Sequence, residues 1–285
     1  MPQIPQKILD SIVYMYPNRE AATHGQNFGG TGFLVAVPGD EIGQFFFYVI
    51  TNWHVALRDG CTFMRVTRHD RSSEIIEIDT EDWIFEPAVY GDVAAAVVTI
   101  DTDVCRVAYI HRLTFVDDAY ISAKTIGAGE DVFMVGRYVD HDGAQTNLPA
   151  VRFGNISVMP TPVSQGPFNH KSPSYILDLH SRTGYSGSPV FFYRPPADDL
   201  ATLWTGAGAL GPFLLKFLGI HVGQFPENWG LANGQVVSGV SGMTFALTSQ
   251  AIAALLDHPT FIDRRHREAD PTLLLGTQSG SLIWM

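Results

Sequence analysis

The sequence predicts an all-β fold built from two β-barrels, with one clear helix near the C-terminal end. Glycine and proline account for 27 and 17 of the 285 residues, while charged residues make up only 16%. This composition favours many short strands joined by turns, because helices are richer in Lys, Glu and Ala. Runs of β-branched and aromatic residues also recur at short intervals, which is typical of barrels rather than of alternating strand–helix units.

The first barrel is predicted over residues 11–120, after an N-terminal extension at 1–10. Its clearest strand is the β-branched and aromatic run QFFFYVIT, which is typical of a buried strand. Turn residues separate this run from its neighbours. The strands predicted in this half are 11–16, 32–37, 44–51, 62–67, 73–79 and 93–100.

The second barrel is predicted over residues 121–257 and includes the C-terminal helix. That helix covers 249–256, with Thr248 or Ser249 as its N-cap. We expect the remaining tail, 258–285, to be flexible, with docking as a strand as the alternative. The strands predicted in this half are 131–138, 151–158, 174–180, 189–193, 216–223, 234–239 and 243–247.

Composition and charge exclude several classes of function. The net charge is −11 without a basic patch, so nucleic acid is not an expected partner. Two cysteines cannot build a disulfide framework, and no Cys-x-x-Cys or His-Glu-x-x-His spacing occurs. We therefore expect no metal and no other cofactor. The N-terminus lacks the pattern of a signal peptide, which predicts a cytoplasmic location, and no stretch is typical of a membrane span.

The turn at residues 184–190 (GYSGSPV) is the strongest candidate for chemistry. Gly, Ser and Pro are turn residues, and an apolar run follows, so a tight turn leads into a buried strand. A hydroxyl on such a turn is exposed, and backbone N–H groups beside it can point at one spot. Ser186 would thus suit a nucleophile beside an oxyanion hole. By itself the motif fits a Gly/Ser hairpin turn without chemistry equally well.

Two further residues complete a set for serine hydrolysis. His54 follows a predicted buried strand, and Asp92 comes directly before another. Serine hydrolysis needs a base that takes the hydroxyl proton and an acid that fixes the tautomer of the base. A cleft between two barrels would let the first barrel supply His54 and Asp92 while the second supplies Ser186.

These motifs resemble the chymotrypsin-fold (trypsin-like) serine proteases, nearest the bacterial glutamyl-endopeptidase and HtrA-type branches. The resemblance covers roughly residues 11–257, and its pieces occur in the order of the family. It implies two six-stranded antiparallel β-barrels with a C-terminal helix. The matching pieces are GTGFL at 30–34, ITNWHV at 50–55, GDVA at 91–94, GYSGSPV at 184–190 and LGIHVG at 218–223.

The resemblance also implies the role of each catalytic residue. Ser186 would be the nucleophile, His54 the general base and then acid, and Asp92 the residue that orients it. The backbone N–H groups of Gly184 and Ser186 would form the oxyanion hole. The activation sequence and disulfides of secreted digestive enzymes are missing, and the stretch after residue 256 is too short for a PDZ domain, so we do not expect HtrA-type regulation to carry over. We expect a protease that is active as translated or is controlled by another route.

Substrate choice is predicted from three residues near the implied primary pocket. Glutamyl endopeptidases share a Gly-Ile-His pattern, here ending at His221, and a hydroxyl five positions before the nucleophile, here Ser181. A histidine N–H and a hydroxyl could together hold a substrate carboxylate. The alternative is that His221 is a structural strand residue. His180 would lie near the pocket floor, where it either tunes selectivity or is packed.

The leading hypothesis is a serine endopeptidase that works through an acyl-enzyme and acts on a protein or peptide. A catalytically silent protease fold used as a binding module is the alternative. An α/β-hydrolase esterase fits poorly, because its G-x-S-x-G motif would need glycine where Ser188 stands and its triad order differs. The insertion 194–216 could be a lid, a regulatory partner site or a tolerated loop, and the tail could dock or inhibit.

Overall fold

The computed structural model describes residues 3–26, 29–141, 143, 145–164, 170–195, 213–231, 235–268 and 281–283. Strands dominate it, so the predicted all-β class is confirmed. The strands are β1 Ile12–Tyr16, β2 Gly30–Pro38, β3 Phe45–Thr51, β4 Phe63–Thr67, β5 Ser73–Glu77, β6 Ala94–Val97, β7 Ala108–His111, β8 Asp131–Gly136, β9 Ala150–Ser164, β10 Lys171–Asp178, β11 Pro189–Arg194, β12 Leu214–Gly230, β13 Val236–Thr248 and β14 Ser281–Ile283. The α-helices are α1 Gln6–Asp10, α2 Arg19–His24, α3 Pro87–Tyr90, α4 Asp118–Lys124, α5 Ser249–Leu256 and α6 Pro259–Glu268.

The first sheet has eight strands rather than the expected six. Its order is β14-β7-β2-β1-β4-β5, and β3 pairs with both β2 and β6. The two additional strands, β7 and β14, are parallel to their neighbours, so the sheet is not purely antiparallel. Both are too short to give a recognisable run in the sequence, since β7 has four residues and β14 three. Strand β7 was not predicted, whereas docking as a strand was the alternative given for the tail that contains β14.

The second sheet is the expected six-stranded antiparallel barrel. Its strands close in the order β10-β13-β12-β11-β8-β9. The barrel face that packs against the first sheet carries aromatic side chains, and Phe133 stacks there on Phe191 with ring centroids 5.1 Å apart. Phe33 of β2 lies 5.3 Å from Phe217 of β12, so one apolar core joins the two sheets. The sheets therefore form a single packed body with a cleft between them.

The C-terminal segment corrects the expectation of a flexible tail. Helix α5 has the predicted bounds, but the chain then forms α6, whose Phe261 is buried edge-on against Tyr48 of β3. Arg265 donates hydrogen bonds to Tyr48 Oη (3.0 Å) and to the Leu256 carbonyl (2.9 Å). The segment thus packs back onto the first sheet, and β14 adds to its edge. Residues 269–280 and 284–285 lie outside the described part.

Strands β12 and β13 extend well beyond the barrel. Strand β11 pairs with β12 only as far as Ile220, and β10 pairs with β13 only from Met243 onward. The segments 225–230 and 236–242 pair only with each other among the described strands, and we call them the hairpin arm. Most of the insertion predicted as a partner site, residues 196–212, is outside the described part. None of the described helices is long and apolar enough to cross a membrane.

Candidate active site

His54 and Asp92 form the best-defined contact of the site. Strand β3 ends at Thr51, and a π-helical turn from His54 to Arg58 follows it. His54 Nδ1 lies 2.5 Å from Asp92 Oδ2, and the His54 backbone N–H donates to Asp92 Oδ1 at 2.9 Å. A carboxylate accepts hydrogen bonds, so Nδ1 carries the proton and Nε2 is left as the basic nitrogen.

Asn52 adds a second link between the same two segments. Its side-chain amide donates to the Asp92 carbonyl at 2.8 Å, and both residues are buried. Strands β3 and β6 also pair directly, with Thr51 opposite Ala94. His54 and Asp92 therefore sit at the ends of adjacent strands of one sheet. Sequence reasoning did not assign Asn52 this role, although it lies in the motif ITNWHV.

The Ser186 turn requires glycine on both sides of its serine. Gly184 and Gly187 have φ values of 98° and 85°, in the left-handed region that favours glycine. A Cβ atom on Gly187 would lie 2.0 Å from the Thr31 carbonyl oxygen, and one on Gly184 would lie 2.7 Å from the Arg137 oxygen. The close approach to Thr31 means that the turn of the second barrel presses directly on strand β2 of the first sheet.

Thr31 holds this turn in place. Its backbone N–H donates to the Ser186 carbonyl (2.8 Å), and its hydroxyl donates to the Gly184 carbonyl (2.7 Å). The same hydroxyl accepts from the Arg137 backbone N–H at 2.9 Å. Thr51 Oγ1 in turn donates to the Thr31 carbonyl at 2.7 Å. Thr31, the threonine of GTGFL, is thus a positioning residue. The sequence motif includes it, but these contacts could not be predicted from the motif.

The catalytic groups predicted on the turn are exposed to the cleft. Within the described ranges, the backbone N–H groups of Gly184 and Ser186 donate to no backbone carbonyl, so both remain available to an oxyanion. The Ser186 hydroxyl makes no hydrogen bond to a described residue, and its contact with His54 is not formed. Catalytic hydrogen bonds are often long without substrate and tighten when it binds.

A cavity of about 650 Å³ brings most of the predicted site together. His54, Gly184 and Ser186 line it, as do Ser181 and His221. Asp92 lies behind His54 and is nearly buried. His180 is placed differently from the prediction. His180 is exposed and does not line this cavity. It comes directly after the buried Leu179, and its side chain turns outward beside Gly242.

Two residues that line the cavity, Ser181 and His221, each carry a buried polar atom. Neither Ser181 Oγ nor His221 Nε2 has a hydrogen-bond partner among the described residues. His221 Nδ1 faces the Tyr185 carbonyl at 3.2 Å and therefore carries the ring proton. The pKa of His221 is lowered to about 4, chiefly because burial disfavours the charged ring; the contact with the Tyr185 carbonyl raises it and nearby His54 lowers it. The imidazole is thus neutral near pH 7 in the absence of a ligand.

The described residues offer little support for other chemistries at this cavity. Cys61 also lines it, but burial raises the pKa of its thiol to about 11, which disfavours a thiolate nucleophile. No three His, Cys, Asp or Glu side chains in the described ranges are grouped so that they could hold a metal ion.

Comparison with known proteins returned structures but no close relatives. No protein-family model matches the chain, and no curated protein matches it. The chain is similar to the MamO protease domain from Magnetospirillum magneticum, at 15% identity and a TM-score of 0.49, over 87% of this chain and 96% of that one. It is also similar to Deg5, at 14% identity and a TM-score of 0.48, over 87% and 88% of the two chains.

A third similar structure is the HtrA-type protease AlgW with a decapeptide, at 15% identity and a TM-score of 0.46, over 91% of this chain and 66% of that one. All three TM-scores lie below 0.5, so the fold assignment rests on the strand connectivity. A closed six-stranded barrel packed on a second β-sheet, with α5 after the last barrel strand, is the fold of chymotrypsin-like serine proteases.

Proposed function

We propose that the chain is a serine endopeptidase that hydrolyses peptide bonds through an acyl-enzyme intermediate. The observation that carries this proposal is the double contact between His54 and Asp92 beside a cavity that Ser186 also lines. Ser186 Oγ attacks the scissile carbonyl while His54 Nε2 takes its proton. His54 then donates that proton to the leaving amine, and Asp92 stabilises the imidazolium.

The second half of the reaction uses the same groups. Water attacks the Ser186 ester, His54 accepts the proton of the water, and the proton returns to Ser186 Oγ as the acid product leaves. In both halves the carbonyl oxygen becomes an oxyanion, and the N–H groups of Gly184 and Ser186 stabilise it. Removing one such donor typically raises the barrier by about 3 kcal/mol.

We also propose that the enzyme prefers an acidic residue before the scissile bond. The support is that Ser181 Oγ and His221 Nε2 are buried, lack described partners and belong to residues that line the cavity. Buried polar atoms without partners are costly, so a ligand that satisfies them gains binding energy. A carboxylate would accept hydrogen bonds from the Ser181 hydroxyl and from a protonated His221, so its binding would take up one proton.

Active-site labelling tests the reaction. A fluorophosphonate probe is expected to label the wild-type protein and not Ser186→Ala. Ser188→Ala, in the same turn, is the matched control and should still be labelled. Loss of label in Ser188→Ala with retention in Ser186→Ala would contradict the assignment. Absence of labelling in folded wild type would favour a silent binding module.

A peptide library tests the preference. We expect faster cleavage after Glu than after Gln, Ala, Arg or Phe, and a reduced preference in Ser181→Ala. A cleavage profile in which acidic residues are not enriched would overturn the acidic pocket while leaving the endopeptidase proposal intact.

A further inference from the structure

The hairpin arm has two faces that differ in character. In its register, Trp229 lies opposite Val237 and Glu227 lies opposite Gly239, so these four residues share one face. The Trp229 ring covers Gly239, where a Cβ atom would lie 2.3 Å from ring atom Cζ3. We call this the tryptophan face. The opposite face carries the exposed Val236 and Val240 but no aromatic side chain, together with a hydrogen bond from Ser238 Oγ to Asn228 Oδ1.

The tryptophan face is accessible and, apart from Glu227, apolar. Trp229 and Val237 are 45% and 46% exposed, and Leu231 at the end of the same strand is also 45% exposed. Glu227 is the one charged residue in the stretch 223–243 of a chain that carries 29 acidic and 18 basic residues. A contiguous apolar surface with little charge is typical of a binding site for an apolar partner.

The arm is a direct continuation of the candidate active site. Gly223 and Gln224 of β12 line the cavity that holds His54 and Ser186, and the arm begins at the next residue. Phe225 is fixed there by a ring contact with Phe245 at 5.3 Å, and its carbonyl accepts from Ser241 Oγ. A polypeptide that leaves the cavity past Gln224 in an extended conformation would therefore run along the arm.

A second copy of the chain is a poorer occupant than a substrate. Two arms could join through their free edges only by an unbroken ladder of backbone hydrogen bonds. Pro226 has no N–H to donate, and proline in a strand is tolerated where its nitrogen faces away from the partner strand. The free edge of β12 is therefore interrupted at Pro226, whereas the side chains of the tryptophan face remain available.

We infer that the tryptophan face is a second contact site for the substrate and binds an apolar stretch some distance from the cleaved bond. This inference rests on the proposed endopeptidase function. Trp229 lies five positions beyond Gln224, which corresponds to about 16 Å along a strand. An extended substrate reaches it only when it continues for about five residues beyond the cavity.

Peptides of two lengths test the inference. All peptides contain the same central sequence around the cleaved bond. Each long peptide has six further residues, at either its N-terminal or its C-terminal end. This extension is either apolar, made of Leu and Val, or polar, made of Ser and Gln. At one of the two ends, the apolar extension is expected to give a kcat/KM about tenfold higher than the polar extension. For each variant, kcat/KM of the long peptides is divided by that of the short peptide. Trp229→Ser should abolish this gain and Trp229→Phe should retain most of it. Val240→Thr, on the opposite face, should retain it fully.

The outcomes separate the inference from the function on which it rests. No gain at either end, or a full gain in Trp229→Ser, overturns the inference while cleavage of the short peptide upholds the endopeptidase. If neither peptide is cleaved and no fluorophosphonate label appears, the proposed function fails and the inference fails with it. Sedimentation velocity adds a further check. A wild-type dimer that becomes a monomer in folded Trp229→Ser would show that the face joins two copies, which also overturns the inference.

Discussion

The two halves of the candidate site differ in how complete they are. On the first sheet, His54 and Asp92 already make two direct contacts. On the second barrel, Ser186, Ser181 and His221 line the cavity, and Ser181 Oγ and His221 Nε2 have no partner among the described residues. The proposed acid–base pair is thus assembled without substrate, while the proposed pocket on the second barrel has groups that a ligand would satisfy.

The difference follows from how each half is positioned. His54 and Asp92 belong to segments flanking two strands that pair with each other, so one sheet fixes both. The Ser186 turn instead depends on contacts that cross between the sheets, chiefly those of Thr31. The acid–base pair should therefore tolerate changes on the second barrel, whereas Ser186 should respond to changes on either side of the cleft.

Asp92→Asn would remove the carboxylate that contacts His54 on the first sheet. It has the largest expected effect on kcat. An amide in place of the carboxylate favours the wrong tautomer of His54, so kcat should fall by about 10⁴ with little change in KM. Steady-state cleavage of a peptide with Glu before the scissile bond measures this. Asp59→Asn is the control, because Asp59 lines the same cavity but pairs with Arg58. Equal losses in the two variants would show that Asp92 acts only through local charge.

Gly187→Ala would disturb the contact between the Ser186 turn and Thr31 of the first sheet. The new methyl group would meet the Thr31 carbonyl and would also require an unfavourable backbone conformation. Displacing Ser186 by about 1 Å should lower kcat by about 10² or more, equivalent to about 3 kcal/mol.

Gly60→Ala provides the matched control for Gly187→Ala. Gly60 also has a positive φ, of 65°, but a Cβ atom there would meet nothing within 4 Å. We expect it to cost only about 1 kcal/mol in the free energy of unfolding, without loss of kcat. If the two variants behave alike in both unfolding and turnover, the close approach to Thr31 does not position Ser186.

The features that were predictable from sequence are those encoded in local patterns. The run QFFFYVIT forms β3 at Phe45–Thr51, and the C-terminal helix has its predicted bounds at Ser249–Leu256. The motifs around His54 and Asp92 also anticipated that these side chains would lie near each other. Such stretches can be recognised from sequence because nearly every residue in a buried strand is apolar, and nearly every residue of a family-like motif matches the pattern.

The features that were missed depend on contacts between distant segments. Helix α6 has mostly polar residues, and it is held by Phe261 and Arg265 packing on Tyr48. Such an anchor leaves no periodic pattern in the sequence. Strand β12 was predicted to end at residue 223, because the Pro, Asn and Gly that follow are typical of turns. Only its pairing with β13 shows that it continues into the hairpin arm.

His221→Gln tests the second barrel through the pH dependence of the free energy of unfolding. Its expected effect is the smallest of the three variants. The pKa of His221 is lowered from 6.5 to about 4, so the unfolded chain binds its proton at a higher pH than the folded protein does. The neutral buried ring therefore leaves stability intact above pH 6.5 and reduces it as the pH falls toward 4. Between about pH 6.5 and 5 the loss should be about 2 kcal/mol.

Urea unfolding across that pH interval measures this loss. Glutamine can still donate to the Tyr185 carbonyl but does not titrate, so His221→Gln should show a flatter dependence on pH than wild type. His180→Gln removes an exposed histidine and should retain the wild-type slope, and carboxylate titration is common to all three proteins. Parallel curves for wild type and His221→Gln would mean that His221 takes up its proton at the same pH in the folded and the unfolded protein. Burial would then not hold the ring neutral, and below about pH 6.5 the pocket would be charged before substrate arrives.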